Sequence, residues 1–389
     1  MSNIEAVNQR LYFSELLLLL LMISLPFTRH LLGLNLLFFI IAFGVLAYLN
    51  RGLQGLPTSL LCFSALSILY AFFSSLNLFP IAWTRYFDAG AIPQQVLYAL
   101  VLPTSFLIMA FYFKGQLVYC GARLRLANGM LALWLFIKIL EVMVTGKLGI
   151  NQMISVNGLG NYSALVIAAT CLYLTLIKSQ GVRYSVIAIF VFLSFLSPFS
   201  QNKVYAIVFA VLWVFPRYAI HILIAFIVSS VLFYVVTISS PYSVRFIDTN
   251  LTVRLVLIRD ALEGILQSYF IGVGFGTESI KNEYDLFDDP TFADEDDRGF
   301  IHLAVHNSFA TVPFRVGAFG AGALLLFLVQ TFSKIKIGSV NDVSMKCSLF
   351  AAFFIVTFQN PALESYIYLY AVCIYLSFIW AFDVQLNTK

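Results

Sequence analysis

Long apolar runs alternate with short polar segments along most of the chain. A helix needs about 20 apolar residues to cross the hydrocarbon core of a bilayer, and somewhat fewer where its ends are anchored. Runs near this length predict an all-α, polytopic transmembrane helix bundle of about twelve spans. No small-residue cleavage site follows the first run, so we interpret it as a span and not as a signal peptide. The predicted spans are 12–27, 31–49, 57–79, 93–113, 124–144, 158–178, 182–197, 203–215, 217–238, 303–331, 345–359 and 362–384.

One long polar segment, 239–302, separates the first nine predicted spans (1–238) from the last three (303–389). It holds twelve of the nineteen acidic residues. Long loops cost conformational entropy and often carry function. Apolar residues at helical spacing predict an amphipathic helix over 251–269, which would lie along the membrane surface or cap the bundle. Its predicted apolar stripe is Leu251, Leu255, Ile258, Leu262, Ile265 and Tyr269, and its predicted polar face is Asp260, Glu263 and Gln267.

The distribution of Lys and Arg predicts the orientation. With the N-terminus in the cytoplasm, twelve basic residues fall in inside segments and four in short outside loops. Because inside segments of membrane proteins carry the excess of Lys and Arg, both termini are predicted to be cytoplasmic and 239–302 to lie outside. The inside set is Arg10, Arg51, Lys114, Arg123, Arg125, Lys178, Arg183, Arg217, Lys334, Lys336, Lys346 and Lys389, and the outside set is Arg29, Arg85, Lys147 and Lys203.

Composition agrees with a membrane protein. The 389 residues are 61% hydrophobic and 11% charged, whereas soluble domains carry roughly 25% charged residues. The net charge of +4 is small and the basic residues are scattered, which argues against nucleic-acid binding. The five cysteines lie in or beside apolar runs without metal-ligand spacing, so we interpret them as small core residues.

Two arginines on the predicted amphipathic helix are candidates for binding an anion. Arg254 falls roughly 60° from the centre of the apolar stripe, where a permanent cation needs an anionic partner or water. It is either an anchor that reaches the lipid headgroups or a phosphate clamp. Arg259 falls near the polar face, one turn before Glu263, and is either a solvated partner of that acid or a helper to Arg254.

The helix ends in a glycine run, 272–276 (GVGFG), which no predicted strand precedes. We therefore interpret it as a tight turn that lets backbone pack closely, and not as a dinucleotide fingerprint. The acidic stretch 288–297 lacks the spacing of a calcium-binding loop, and we predict a solvated loop there.

The residues around the start of the tenth span carry the remaining candidate chemistry. His302 and His306 are four residues apart, but HLAVH lacks the inner glutamate of the zinc peptidase motif, so we predict no metal. His306 opens a span beside Asn307, where a neutral imidazole can take a proton from a hydroxyl near pH 7. A structural histidine at the membrane interface is the alternative. Arg315 lies further into the span and is either a functional cation or an ion-pair partner of Glu364.

Together these residues resemble the bacterial O-antigen ligase and O-antigen polymerase superfamily, integral membrane glycosyltransferases that use lipid-linked sugars. In that family an arginine opens a helix of the long outer loop, a glycine-containing turn follows, and His-Asn, an aromatic residue and Gly-x-x-Gly come later. Here Arg254 opens the helix, 272–276 closes it, and His306 to Phe309 (HNSF) leads to Gly317 to Gly320 (GAFG). Weaker similarities are 157–161 (NGLGN) and 200–203 (SQNK).

The sequence departs from the family pattern at four of these positions. Ile258 stands where Trp is frequent, and Tyr269 where Pro is frequent. Lys203 replaces a usual arginine, and Arg315 stands where an acid is common. These departures leave the exact donor open.

The resemblance implies metal-independent, cofactor-free glycosyl transfer from an undecaprenyl-pyrophosphate-linked glycan at the periplasmic face of the bacterial inner membrane. Arg254 would stabilise the leaving pyrophosphate, with Arg259 or Lys203 as helpers, and His306 would take the proton of the acceptor hydroxyl. Asn307 and Arg315 are further candidates for substrate binding. The acceptor would be another glycan or lipid A core, and a chain-length regulator is a further candidate partner.

Three other functions compete with a polymerase. A ligase would move finished glycan to lipid A core, and the looseness of the motif match favours the polymerase. A transporter or flippase often has pseudo-symmetric halves and charges at mid-membrane. The sequence shows no internal repeat, and its polar residues gather in one outer loop. A purely structural membrane subunit is the third.

Overall fold

The computed structural model describes residues 32–49, 56–79, 87–113, 120–145, 163–197, 200–241, 249–277, 305–360 and 362–382. Their secondary structure is helical apart from one isolated β-bridge between Phe87 and Thr277. The predicted span 12–27, segments 157–161 and 288–297, and His302 lie outside the described residues. The helices are α1 Leu32–Leu49, α2 Thr58–Ser75, α3 Ile92–Val96, α4 Tyr98–Phe113, α5 Cys120–Thr145, α6 Ser163–Leu176, α7 Gln180–Phe195, α8 Ser200–Val214, α9 Ala219–Ile238, α10 Thr249–Gln267, α11 Ser308–Ile335, α12 Val340–Gln359 and α13 Tyr366–Ala381.

Several helices are long and apolar enough to cross a membrane, which fits a multi-pass membrane protein. Large apolar side chains, such as Val235 and Val236 of α9, cover much of the outward surface. Lipid tails accept such a surface, whereas water does not. Helices α6, α7 and α13 are apolar but shorter. In the described part of the chain, six stretches are long and apolar enough to cross a membrane: Thr58–Ser75, Ala89–Met109, Cys120–Ile139, Pro216–Ile238, Ser308–Ile335 and Val340–Gln359.

Helix α12 forms the centre of the bundle. Every residue from Ser344 to Thr357 is buried. Helices α6, α8, α9, α11 and α13 all pack against it. A helix that is covered on all sides is usually apolar all round. This one is mostly small and aromatic, and its buried polar side chains, such as Lys346 and Ser344, donate to backbone carbonyls. Cys171, Cys347 and Cys373 are buried in this core, as predicted, whereas Cys62 and Cys120 are exposed.

Basic side chains collect at one end of the bundle. Arg123 of α5 pairs with Asp342 of α12 at 2.8 Å. Arg183 of α7 donates to the carbonyl of Ile177 at 2.7 Å. The buried Lys346 donates to carbonyls at the end of α11, at 2.8 and 2.9 Å. Lys346 lies at the last turn of α11, whereas His306 precedes the first residue of this 28-residue helix, so His306 lies at the other end of the bundle. The charge of Arg254 acts on His306, which places Arg254 at that end as well.

Helix α11 is interrupted at Gly317, where the backbone takes φ 67° and ψ −166°. The turn that follows α10 fits into this break. Backbone groups that an unbroken helix would pair internally are bonded to the turn instead, so the break leaves them satisfied. The bonds run from Val273 N to Phe314 O (2.8 Å), from Gly274 N to Arg315 O (3.1 Å) and from Ala318 N to Phe270 O (2.8 Å).

The glycines at this junction are needed for its geometry. A Cβ on Gly317 would overlap the carbonyl of Ile271, and one on Gly272 would lie 2.6 Å from the amide nitrogen of Gly317. Both residues have positive φ, which other residues adopt at a cost. The prediction that the glycine run is a turn for close backbone packing is confirmed.

Gly317→Ala should destabilise the protein by at least about 2 kcal/mol, because the new methyl group meets backbone and φ is positive. Gly322→Ala is the matched control, since Gly322 lies on the same helix and a methyl group there would enter open space. The measurement is the unfolding midpoint of both variants in detergent. Equal midpoints would contradict the interlock.

Candidate functional site

Helix α10 packs against the start of α11 and confirms the predicted helix over 251–269. Ile258 and Ile265 of α10 are buried against Val305, Ala310 and Phe314. Leu255 is fully buried as well. This apolar cluster fixes the helix that carries Arg254 beside the segment that carries His306.

Part of the predicted face assignment of α10 is wrong. Tyr269 is 86% exposed and Leu262 is also exposed, although both belong to the predicted apolar stripe. Asp260, predicted on the polar face, is only 3% exposed. The reason is that α10 packs against both α9 and α11, so its covered face is wider than one stripe and is displaced around the helix.

Asn307 holds His306 at the entry of α11. The Asn307 side chain accepts from Ala310 N (3.1 Å) as the helix cap and donates to the carbonyl of Phe358 (2.8 Å). Thr311 Oγ1 donates to the carbonyl of Val305, on the other side of His306 (3.0 Å). Asn307 is buried, and these bonds give it a place in the framework, while its predicted part in substrate binding stays a prediction.

His306 and Arg254 come together in the structure. Burial lowers the pKa of His306 to about 4, and the positive charge of Arg254 acts in the same direction. Both effects disfavour the imidazolium ion. The ring is therefore neutral near pH 7, and it lies within electrostatic reach of a partly exposed guanidinium.

Tyr368 is a third member of this group that the sequence did not indicate. It lies in the first turn of α13, partly buried, and the charge of Arg254 acts on its hydroxyl. The Tyr368 amide donates to the carbonyl of Ser365 (3.1 Å), which fixes the start of α13. Three tyrosines stand at alternate positions here, and no sequence pattern singles out Tyr368.

Arg315 has a different environment from Arg254. Its side chain is 1% exposed, and its Nε donates to Glu364 Oε1 at 2.8 Å. Its Nη1 points to the carbonyls of Gly274 (3.5 Å) and Thr277. The predicted alternative, a pair with Glu364, is confirmed. These contacts give Arg315 a place in the framework, while its predicted part in substrate binding stays a prediction.

Arg259 and Lys203, the two predicted helpers of Arg254, are both accessible to solvent. Arg259 is 44% exposed, and its Nε lies 3.8 Å from Asp260 Oδ1. It is roughly 140° around the helix from Arg254. Lys203 is partly exposed in the first turn of α8. That turn reaches the same end of the bundle as His306, because Asn360 donates to Gln201 Oε1 at 3.0 Å.

Among the residues that the structure describes, no group of three or more His, Cys, Asp or Glu side chains is placed to hold a metal ion. His302 is not among them, so the prediction that no metal is used stays a prediction. No protein-family model and no curated protein matches the chain. The resemblance to O-antigen ligases and polymerases rests on the motif residues of this sequence.

His306 should stay neutral down to about pH 4. An unperturbed histidine takes up its proton near pH 6.5. The chain has four histidines, so imidazole NMR signals of the purified protein in detergent can be assigned with His306→Gln. Arg254→Gln should raise the midpoint, because it removes a positive charge that disfavours protonation.

Arg259→Gln is the matched control for this titration, since it removes an exposed cation from the same helix. It should leave the midpoint in place. A His306 midpoint near pH 6.5 in the unaltered protein, or equal shifts in both variants, would contradict the burial and the coupling.

Proposed function

We propose that this protein is a membrane glycosyltransferase that polymerises undecaprenyl-pyrophosphate-linked oligosaccharide repeat units of O-antigen or a related surface polysaccharide. The observation that carries the proposal is the meeting of Arg254 and His306. A permanent cation on α10 and a neutral imidazole just before α11 are the two groups that the resemblance assigns to transfer from a lipid pyrophosphate.

The ends of the bundle support a periplasmic site in the bacterial inner membrane. The basic end fits the cytoplasmic side by the positive-inside rule. The site then faces the periplasm, with both termini in the cytoplasm. Nucleotide-activated sugars are not present there, so the activated bond must arrive on a lipid carrier. A site at the membrane end of helices gives such a carrier access from the bilayer.

Arg254 supports departure of the pyrophosphate. As the bond between the anomeric carbon and the phosphate oxygen breaks, that oxygen keeps the electron pair and its negative charge grows. The planar guanidinium forms paired hydrogen bonds with phosphate oxygens. Stabilisation that strengthens in the transition state is often worth several kcal/mol. Arg259, which is exposed, and Lys203, which is partly exposed, would assist in attracting the donor, whereas the charge of Arg254 acts on His306 itself.

His306 activates the acceptor. The acceptor hydroxyl oxygen attacks the anomeric carbon, and its proton passes to a ring nitrogen of His306. Burial and Arg254 make the free imidazole a weak base. A bound pyrophosphate offsets the charge of Arg254, so the imidazolium ion becomes less unfavourable once the donor is in place. The base would therefore be strongest when both substrates are present, without the help of a metal.

A ligase that transfers the glycan to lipid A core is the second candidate, because the same two groups would serve it. The looseness of the motif match favours the polymerase. Lipopolysaccharide from a deletion strain separates the two: single-repeat caps indicate a lost polymerase, and polymer retained on the lipid carrier indicates a lost ligase. A transporter or flippase is less well supported, since the site charges gather at one end of the bundle.

Arg254→Ala should reduce glycan transfer by about 10²–10³-fold, and His306→Ala by about 10²–10⁴-fold. The assay is transfer by the purified protein in detergent with lipid-linked repeat units, with the level of protein in the membrane measured in parallel. Normal polymer from either variant would remove that residue from the mechanism.

Arg259→Ala is the control within α10 and should have a smaller effect than Arg254→Ala. An equally large loss would show that the two arginines are wrongly assigned. His306→Gln, which keeps a polar side chain without the basic ring, should be as impaired as His306→Ala.

A further inference from the structure

The three side chains of the candidate site come from separate parts of the chain. Arg254 is on α10, His306 opens α11, and Tyr368 is in the first turn of α13. Their mutual distances must therefore be set by contacts between these elements. The apolar cluster around Ile258 joins α10 to α11 but does not include α13.

One guanidinium contacts all three elements. Arg315 belongs to α11, two residues before the break at Gly317. It bonds to the carbonyls of Gly274 and Thr277, in the turn that ends α10, and to the carboxylate of Glu364, in the turn that begins α13. Five N–H donors in a rigid planar fork allow a single arginine to make these contacts in different directions.

Stability alone does not account for an ion pair in this place. Both side chains are almost completely buried, and burial raises the pKa of Glu364 despite the adjacent arginine. Removing two charges from water costs several kcal/mol per ion, and apolar replacements of such pairs are often neutral or stabilising. What the pair adds is a defined geometry, since its bonds constrain the angle and distance between the joined elements.

We propose that Arg315 and Glu364 are positioning residues for the glycosyl transfer proposed above, on which this inference rests. They hold Arg254, His306 and Tyr368 at their working distances and do not contact substrate. Two short segments of bonded chain connect Arg315 and Glu364 to the site residues. One is the turn from Gly274 back to α10, and the other runs from Glu364 through Ser365 to the amide of Tyr368.

The end of α12 completes the second segment. Ser308 Oγ donates to the carbonyl of Asn360 (3.1 Å) and accepts from the amide of Leu363 (3.2 Å). The residue that follows Leu363 is Glu364. The segment that carries His306 and the turn that carries Glu364 are thus bonded directly, so a displaced Glu364 would also disturb His306.

The test replaces the pair by apolar residues of similar size, Arg315→Met with Glu364→Leu, so that no unpaired charge remains buried. This variant should keep its unfolding midpoint in detergent within a few degrees. Its kcat should fall about tenfold to 10²-fold, because displacement by about 1 Å can cost that much, while KM for the donor changes less. The His306 titration midpoint should rise, because Arg254 moves away from the ring.

Arg123→Gln is the matched control, because Arg123 forms an ion pair of the same 2.8 Å length with Asp342 at the opposite end of the bundle. It should change neither kcat nor the His306 midpoint. If the double variant does not accumulate in folded form, Arg315→Lys is used instead, since it keeps the charge and loses the planar fork. The same rise in the His306 midpoint is then expected.

A folded variant with an unchanged His306 midpoint would overturn the positioning role, whatever its activity. Failure of the proposed function gives a different result. In that case the unaltered protein transfers no glycan, while the His306 midpoint still responds to the Arg315 and Glu364 substitutions.

Discussion

A break in a membrane helix is tolerated only where its freed backbone groups find other partners. In this protein the partner is the turn 270–274, whose amides and carbonyl pair with α11 on both sides of Gly317. This turn also fixes the end of α10, the helix that carries Arg254. The site therefore depends on a backbone interlock that two glycines with positive φ make possible. Without that interlock, the apolar cluster around Ile258 would be left to hold α10, with Arg254, beside the segment that carries His306.

Within this framework the charges divide into two kinds. Arg315 is buried and bonded to Glu364 and to backbone carbonyls, so it is neutralised within the protein. Arg254 is partly exposed, and its charge acts on a histidine and a tyrosine. A cation held beside a neutral ring is electrostatically prepared for an anion. The charge of Arg254 thus lowers the basicity of His306 in the free protein. An anionic group bound to Arg254 would offset that charge and raise the basicity again.

The sequence predicted helices well because their signal is local. The predicted span 93–113 is divided into α3 and α4, the other described helices of the bundle begin and end within about five residues of the predicted spans, and the amphipathic helix lies two residues earlier than predicted. Faces were predicted less well. Asp260 was assigned to water because a helical wheel assumes one covered stripe, whereas α10 is covered from two sides. The spacing of apolar residues within α10 does not show where α9 and α11 will pack, so the sequence alone could not correct this error.

The candidate site shows the same limit. Arg254 and His306 could be selected because each residue type has a restricted chemistry near a membrane surface. Tyr368 could not, since its neighbours in sequence are alike and only the fold selects among them. For Arg315 the sequence left two roles open, and the choice depended on a partner 49 residues away. Pairings over such distances are decided by tertiary structure.

Some motif residues that resemble those of O-antigen ligases and polymerases have a structural role in this protein, and others are left for the proposed chemistry. Of the motif residues, Asn307 and the glycines are explained by helix capping and close backbone packing. Under the proposed function, Arg254 and His306 are the motif residues left to act on a substrate, and the chemistry proposed for them, leaving-group stabilisation and proton removal, suits any acceptor hydroxyl. On that proposal a polymerase and a ligase can share all of these residues. The choice of acceptor would then be made by side chains outside the shared motif, where the second substrate would approach the ring of His306.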